Sequence, residues 1–159
     1  MSVDEVPPRR LFFALWPDPA VRRLLYLSQR HLLSGGRPVA ADNLHLTLGF
    51  LGMLQTQQQI AAQSAADAVH GESFSLYLDR AGSWRNGIQW LASSDPPGEL
   101  LNLYKSLQVG LEAQGVGCER RAFVPHVTLA RKAPQQPVVA VEPLVWHVDR
   151  YALVESRPS

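Results

Sequence analysis

Two short stretches of this chain place a histidine and a threonine two residues apart, each pair followed by a leucine. They read NLHLTLGFLG, with His45 and Thr47, and PHVTLAR, with His126 and Thr128. The chain has only five histidines and three threonines, so chance placement of this pattern twice is improbable. Residues i and i+2 of a β-strand project from one face, about 6.6 Å apart. Each pair can therefore reach one small ligand together.

The chemistry that this arrangement favours is displacement at phosphorus. A threonine hydroxyl can donate to a phosphoryl oxygen, and an imidazole with a pKa of about 6.5 can give or take a proton near neutrality. Two such strands facing each other would supply one general acid and one general base. A metal is not needed, and none is expected. The alternative is a pair of structural histidines beside strand-favouring threonines.

Other kinds of site fit the sequence less well. No H-x-H, HExxH or CxxC pattern is present, and these are the spacings typical of zinc sites. The single cysteine, Cys118, lies in no activating context and is expected to be an inert thiol. No Walker-type loop and no G-x-S-x-G is found. His31, His70 and His147 are expected to have structural or surface roles. The sequence thus predicts no cofactor.

Composition limits the class of protein. With 159 residues, of which 46% are hydrophobic, the chain is predicted to form a single domain over 1–159, with 1–9 flexible. The apolar runs are too short to cross a membrane, and the polar N-terminus does not resemble a signal peptide. One cysteine permits no internal disulfide. A soluble cytoplasmic protein, monomeric by default, is expected. The net charge of +1 argues against coating of long nucleic acid but allows a few arginines to hold one phosphate.

The two histidine motifs end two similar units. RLFFALWP is a predicted strand, followed by a helix that opens with Asp18 as N-cap and Pro19 at its first position. GIQWLAS is a second predicted strand, and Asp95-Pro96 opens the next helix in the same way. Each half therefore gives a strand, an Asp-Pro helix and a His-x-Thr-Leu strand. This order indicates an internal duplication with two lobes related by a pseudo-twofold axis.

The remaining elements fit around these units. The first helix is expected to bury Val21, Leu24, Leu25 and Leu32. A middle helix would begin at Thr56 as cap, with Gln59 completing a capping box, and end at Gly71. SFSLYLD is a predicted strand, Asn86-Gly87 predicts a hairpin turn, and LVWHVDRYALVES predicts a long closing strand or strand pair. The fold class is α+β, bilobal and mostly antiparallel, with helices outside and a central cleft.

On these motifs the sequence resembles the two-histidine (2H) phosphoesterases. NLHLTLGFLG, F-x-PHVTLAR and the opening RLFFALWP are similar to the bacterial and archaeal RNA 2′,3′-cyclic phosphodiesterase branch, historically called 2′-5′ RNA ligases. The resemblance runs from about Arg10 to Ser156. It implies a metal-independent hydrolase that opens the 2′,3′-cyclic phosphate of an RNA end, such as a tRNA fragment, to a 2′-phosphate.

The resemblance also implies roles for individual residues. His45 would be the proton donor and His126 the proton acceptor, while Thr47 and Thr128 would hold phosphate oxygens. Arg131 matches an arginine of the family and would bind phosphate. Strict strand alternation turns Arg131 away from the histidine face, so this contact requires the strand to bend or end there.

Other functions and further contacts stay open at this point. The same site could serve 2′-5′ ligation or a small cyclic nucleotide, or the chain could be a non-catalytic module that binds RNA ends. Alternation places Phe50 on the core face with the leucines of its strand. Trp16 and Trp84 are candidates for stacking on a terminal base, against ordinary packing.

Overall fold

A computed structural model of the chain describes residues 7–119 and 122–157. The strands of this part are β1 Arg9–Leu15, β2 Arg37–Pro38, β3 Leu46–Leu54, β4 Phe74–Ser83, β5 Gln89–Ala92, β6 His126–Arg131, β7 Val139–Val148 and β8 Ala152–Glu155. Its helices are α1 Pro19–Leu32, α2 Thr56–Asp67 and α3 Gly98–Ala113. Within these ranges, each helix is too short or too polar to cross a membrane. Of the segment expected to be flexible, 1–6 lie outside the described residues, and Arg9 begins β1.

All eight strands join one antiparallel sheet in the order β7-β4-β5-β6-β3-β1-β8, and β2 also pairs with β6. In the first half β1 pairs with β3, and α1 connects them. In the second half β5 pairs with β6, and α3 connects these two strands along the chain. The two halves meet where β3 lies beside β6. The predicted repeat of strand, helix and motif strand, in a mostly antiparallel α+β fold, is therefore present.

The sheet must curl strongly, because its two edge strands are neighbours in sequence. β7 and β8 lie at opposite ends of the strand order, although residues 149–151 alone connect them. Three linking residues reach about 14 Å, whereas a flat sheet of seven strands would be about 29 Å across. Of the two predicted alternatives for the closing segment, one long strand or two strands, the structure has two. β7 pairs with β4 and β8 pairs with β1, so the two strands do not pair with each other.

One hydrophobic cluster joins both halves of the chain. It includes Leu11, Phe13, Leu46 and Leu48 from the first half and Leu76, Leu78, Val127, Leu129 and Trp146 from the second. Tyr151, in the link between β7 and β8, packs edge-on against Phe13 at 6.0 Å, and its hydroxyl donates to the Ala66 carbonyl at 2.9 Å. The edges of the curled sheet are therefore tied into the same core.

α1 begins as predicted, but its buried stripe differs from the predicted one. The Asp18 carboxylate accepts from the Val21 N–H at 2.8 Å, which is an N-cap. Val21, Leu25 and Gln29 are buried, whereas Leu24 is 46% exposed. The three buried residues are spaced by four and therefore share one stripe along the helix, whereas Leu24 lies to one side of this stripe. The inner face of α1 thus carries a buried glutamine where the prediction had a leucine.

α2 is capped one residue earlier than the sequence indicated. Gln55 is the N-cap, and it forms a capping box with Gln58, while Thr56 is the first helical residue. The helix ends at Asp67, before Gly71. Threonine is a common N-cap residue and glutamine is not, so residue preference alone favours Thr56 as the cap.

α3 begins later than the Asp-Pro pattern predicted. Its N-cap is Pro97 and its first residue is Gly98. Asp95 and Pro96 each precede a proline, and a residue before proline is driven out of the helical region. α1 and α3 thus occupy equivalent positions in the two halves, but only α1 is capped by the aspartate of its Asp-Pro pair.

β3 contains two irregularities that change which side chains face the core. Its register with β1 shifts twice: Leu48 has no partner between Thr47 and Gly49, just before Phe50, and Leu51 has none between Phe50 and Gly52. Leu51 is 9% exposed, whereas Phe50 is 50% exposed and lies 5.8 Å from the ring of Phe12. The prediction that Phe50 faces the core is wrong, because a bulge inserts one residue and reverses the alternation beyond it.

Candidate active site

The four motif side chains come together at the seam between the two halves. β3 and β6 are antiparallel, with Leu46 opposite Val127. Continuing this register by one residue on each side brings His45 opposite Thr128 and Thr47 opposite His126. The two residues of the central pair are fully buried, while the four motif residues on the other face are half-buried. Each histidine therefore has a threonine on its own strand and another across the seam.

A backbone carbonyl fixes the protonation of the His45 ring. Its Nδ1 lies 2.6 Å from the carbonyl oxygen of Asn43, and only a ring N–H can donate to that oxygen. Nε2 is then the atom that gains and loses a proton. It lies 3.0 Å from the Thr47 hydroxyl, which donates to a neutral ring or accepts from a charged one. The proton-transfer atom of His45 therefore points toward its motif threonine.

His126 is held by the same device. Its Nδ1 donates to the Val124 carbonyl at 2.7 Å, again two residues before the histidine. Nε2 of this ring is likewise left as the titrating atom. In both cases the carbonyl two residues before the histidine thus supplies the acceptor that orients the ring. Both histidines are prepared to exchange protons through Nε2.

Aromatic rings surround the two histidines unequally. Trp16 stacks on His45 with ring centres 5.3 Å apart and planes at 14°, and Phe12 lies 5.0 Å away. Trp84 meets His126 edge-on at 4.6 Å and 72°. Both tryptophans therefore pack against the motif histidines, which fixes the ring planes. Stacking of either tryptophan on an RNA base stays a prediction.

Burial lowers the pKa of both histidines below the usual range. For His45 the loss of hydration is the largest cause; the hydrogen bond to Asn43 opposes it, and the positive charges of Arg131 and His126 lower the pKa further. For His126 burial is again the largest cause, opposed by the hydrogen bond to Val124, and Arg131 adds to the lowering. Neutral imidazole is therefore favoured at both positions in the free protein.

Arg131 acts electrostatically on both histidines. It is exposed and is the last residue of β6. The register with β5 shifts just before it: Trp90 lies opposite Thr128 and Gln89 opposite Ala130, so Leu129 is left without a partner. Such a bulge interrupts the strict alternation that would turn Arg131 away. The strand irregularity that the predicted phosphate contact requires is present.

A buried glutamine that supports the site was not predicted. Gln29 is 2% exposed, and its Nε2 donates to the Val39 carbonyl at 2.7 Å and the Leu129 carbonyl at 2.8 Å. It thereby fastens α1 to β6, the strand of the second motif. The signal in the sequence is a polar residue at the spacing of Val21 and Leu25 on the inner face of a helix.

The other candidate groups have ordinary roles. Burial raises the pKa of the Cys118 thiol, which accepts from Gln108 at 3.1 Å, so the thiol is poorly reactive. His31 and His70 are exposed, and His147 pairs with the Ser75 hydroxyl at 2.7 Å. Across residues 7–119 and 122–157, no three His, Cys, Asp or Glu side chains are placed to hold a metal ion.

Comparison with known proteins gives one consistent result. The model of the 2'-5' RNA ligase superfamily matches residues 16–158. The RNA 2',3'-cyclic phosphodiesterase of Escherichia coli (strain K12) is 36% identical over 151 residues, which cover 93% of this chain and 84% of that protein.

Solved structures agree with the sequence match. Apo E. coli LigT superposes with a TM-score of 0.84 at 33% identity, over 97% of this chain and 91% of that one. A crystal structure of E. coli LigT complexed with 3'-AMP gives 0.82 at 33% identity, over 96% and 90%. The bilobal fold and its paired motif strands are thus those of an established group of proteins.

Proposed function

The chain belongs to the 2'-5' RNA ligase superfamily, and on that premise we propose that it is an RNA 2′,3′-cyclic phosphodiesterase. It is a hydrolase that opens the cyclic phosphate at an RNA 3′ end and leaves a 2′-phosphate. The observation that carries this conclusion is the matched pair of histidines. Each ring donates its Nδ1–H to a carbonyl two residues upstream, so two Nε2 atoms are left for proton transfer.

The reaction divides between the two rings. Neutral His126 takes a proton from water through Nε2 while the water oxygen bonds to phosphorus. The bond between phosphorus and the 3′-oxygen breaks, and protonated His45 gives its Nε2 proton to that oxygen. Solvent then resets the two rings. Thr47, Thr128 and Arg131 are proposed to hold the non-bridging oxygens, whose charge favours a protonated His45 once the substrate is bound.

The same proposal covers metal use, cellular location and substrate source. No step needs a metal, because both proton transfers are made by imidazole and the charge of the phosphate is met by hydroxyls and a guanidinium. We place the enzyme in the cytoplasm as a monomer, with tRNA fragments among its substrates. A complex of a similar protein with 3'-AMP supports binding of a nucleotide from an RNA end.

The test is end-group analysis of an oligonucleotide that carries a 2′,3′-cyclic phosphate, incubated in EDTA. The wild type is expected to yield a 2′-phosphate. His45→Ala and His126→Ala are expected to lose about 10²–10⁴-fold in rate with unchanged circular dichroism, while the exposed control His31→Ala keeps full activity.

Four results would contradict parts of the proposal. Loss of activity in EDTA would make the reaction metal-dependent. Full rates in both alanine variants at the motifs would remove the histidines from catalysis. A 3′-phosphate product would show that the other ester bond breaks, and binding of the RNA end with no change in it would favour a non-catalytic module.

A further inference from the structure

Arg22 is the charged residue nearest to the site that the reaction above does not use. It lies in the first turns of α1, and its guanidinium carbon is 5.8 Å from the centre of the Trp16 ring. Trp16 in turn stacks on His45. The guanidinium of Arg22 and the ring of His45 therefore both pack against Trp16.

The hydrogen bonding of Arg22 is incomplete. Its Nε is buried and has no hydrogen-bond partner, although the residue is only half-buried as a whole. Within 7–119 and 122–157 no acidic side chain forms an ion pair with it. A buried N–H of a charged group left without an acceptor is costly, so its presence calls for an explanation. Because Nε itself is enclosed, an anion that arrives with the substrate would meet the accessible part of the guanidinium and compensate the charge that the protein leaves unpaired.

Position decides which anion this is. The reacting phosphate must lie between the two Nε2 atoms, where the charge of Arg131 acts on both histidines. Arg22 lies against Trp16 and is not among the charges that act on either ring, so it is placed for a charge farther along the ligand. In an RNA end, the next charge is the phosphodiester that joins the last two nucleotides. A cyclic mononucleotide has no such group.

We propose that Arg22 binds this penultimate phosphodiester and so makes the enzyme prefer an RNA end to a cyclic mononucleotide. The inference rests on the proposed function. Arginine suits the task because its planar fork binds phosphate oxygens in pairs while its face lies on an aromatic ring. Trp16 then serves two groups, since it holds the ring of His45 and supports the guanidinium of Arg22.

The experiment compares two substrates and two variants. Arg22→Ala is expected to raise KM for a cyclic-phosphate oligonucleotide about tenfold or more, and to leave kcat/KM for a 2′,3′-cyclic mononucleotide unchanged. Arg23→Ala is the matched control, because Arg23 is the adjacent, exposed arginine of the same helix. It is expected to change neither value.

A second arm changes the substrate in place of the protein. An oligonucleotide with a neutral methylphosphonate at the penultimate linkage should lose the same factor with the wild type, and Arg22→Ala should cause no further loss on it. The wild-type half of this arm can overturn the inference even if Arg22→Ala folds poorly, because an unchanged wild-type KM would mean that the penultimate charge is not bound. Equal losses on both substrates, or a full extra loss on the methylphosphonate, would overturn the inference.

The two proposals fail in different ways. If the wild type opens neither the oligonucleotide nor the mononucleotide, the proposed function is wrong. If it opens both and Arg22→Ala behaves as Arg23→Ala does, only the role of Arg22 is wrong.

Discussion

At the scale of single residues, the two histidines have the same hydrogen bond at Nδ1 but different surroundings. His45 is packed by Trp16 and Phe12, and it feels the charges of both Arg131 and His126. His126 meets the edge of Trp84. A symmetric pair could not assign acid and base to particular rings, so these unequal contacts are where the division of roles must arise.

The lowered pKa values predict an acidic optimum for the free enzyme. Catalysis needs one ring protonated and one neutral, so kcat/KM follows a bell between the two pKa values. Burial lowers both pKa values below about 6.5, so we expect kcat/KM to fall as pH rises above about 6.5. The profile of kcat should lie at higher pH, because the bound phosphate favours the protonated rings.

Replacing Arg131 tests whether its positive charge contributes to the lowered pKa values of His45 and His126. Arg131→Gln removes a positive charge that disfavours protonation of both rings, so both limbs of the kcat/KM profile should move to higher pH, whatever the loss in rate. Arg150→Gln is the control, since Arg150 is exposed and its ion pair is with Asp149. Limbs that stay in place would show that Arg131 does not act on the histidines.

At the scale of elements, the buried side chain of Gln29 links α1 to β6 by a hydrogen bond. Gln29→Leu removes both of its hydrogen bonds and leaves the carbonyl of the half-buried Val39 without this donor. The free energy of unfolding is expected to fall by about 1–3 kcal/mol, as measured by urea denaturation. Gln63→Leu, on the exposed face of α2, should change it by less than about 0.5 kcal/mol. Equal effects of the two substitutions would mean that the hydrogen bonds of Gln29 do not stabilise the packing of α1 on β6.

The sequence predicted elements well where one local rule acts alone. Alternation and turn residues located the motif strands, and the hairpin at Asn86-Gly87 is formed, with φ of +84° at the glycine. The site residues were predictable because two copies of one polar pattern are rare. These signals need no knowledge of what lies across the sheet.

Predictions failed where the partner element decides the outcome. Phe50 is exposed because the pairing of β3 with β1 contains bulges, which no single-strand pattern reveals. Leu24 is exposed and Gln29, for which the sequence predicted no role, is buried, because the inner face of α1 must also satisfy carbonyls of β6 and of the loop that follows α1. The position of Arg22 beside Trp16 depends on how α1 leaves β1, so type and spacing did not indicate it.

At the scale of the whole molecule, one core serves both halves, and this predicts a single unfolding transition. Among the described residues, both halves contribute to the same buried cluster, and neither half forms a separate one. Far-ultraviolet circular dichroism and tryptophan fluorescence should therefore give the same midpoint in urea. Trp16 reports on the first half and Trp146 on the second. Two separated midpoints would show that the lobes are independent domains.

The pairing of β8 with β1 has a consequence for synthesis. β1 leaves the ribosome before the other described strands, and its outer edge stays unpaired until residues 152–155 emerge. Throughout that interval the growing chain carries an apolar strand edge of the kind that pairs with other chains. Among the described strands, β8 is thus the one that covers the outer edge of β1, and the growing chain is protected from pairing with other chains at that edge only once residues 152–155 have been made.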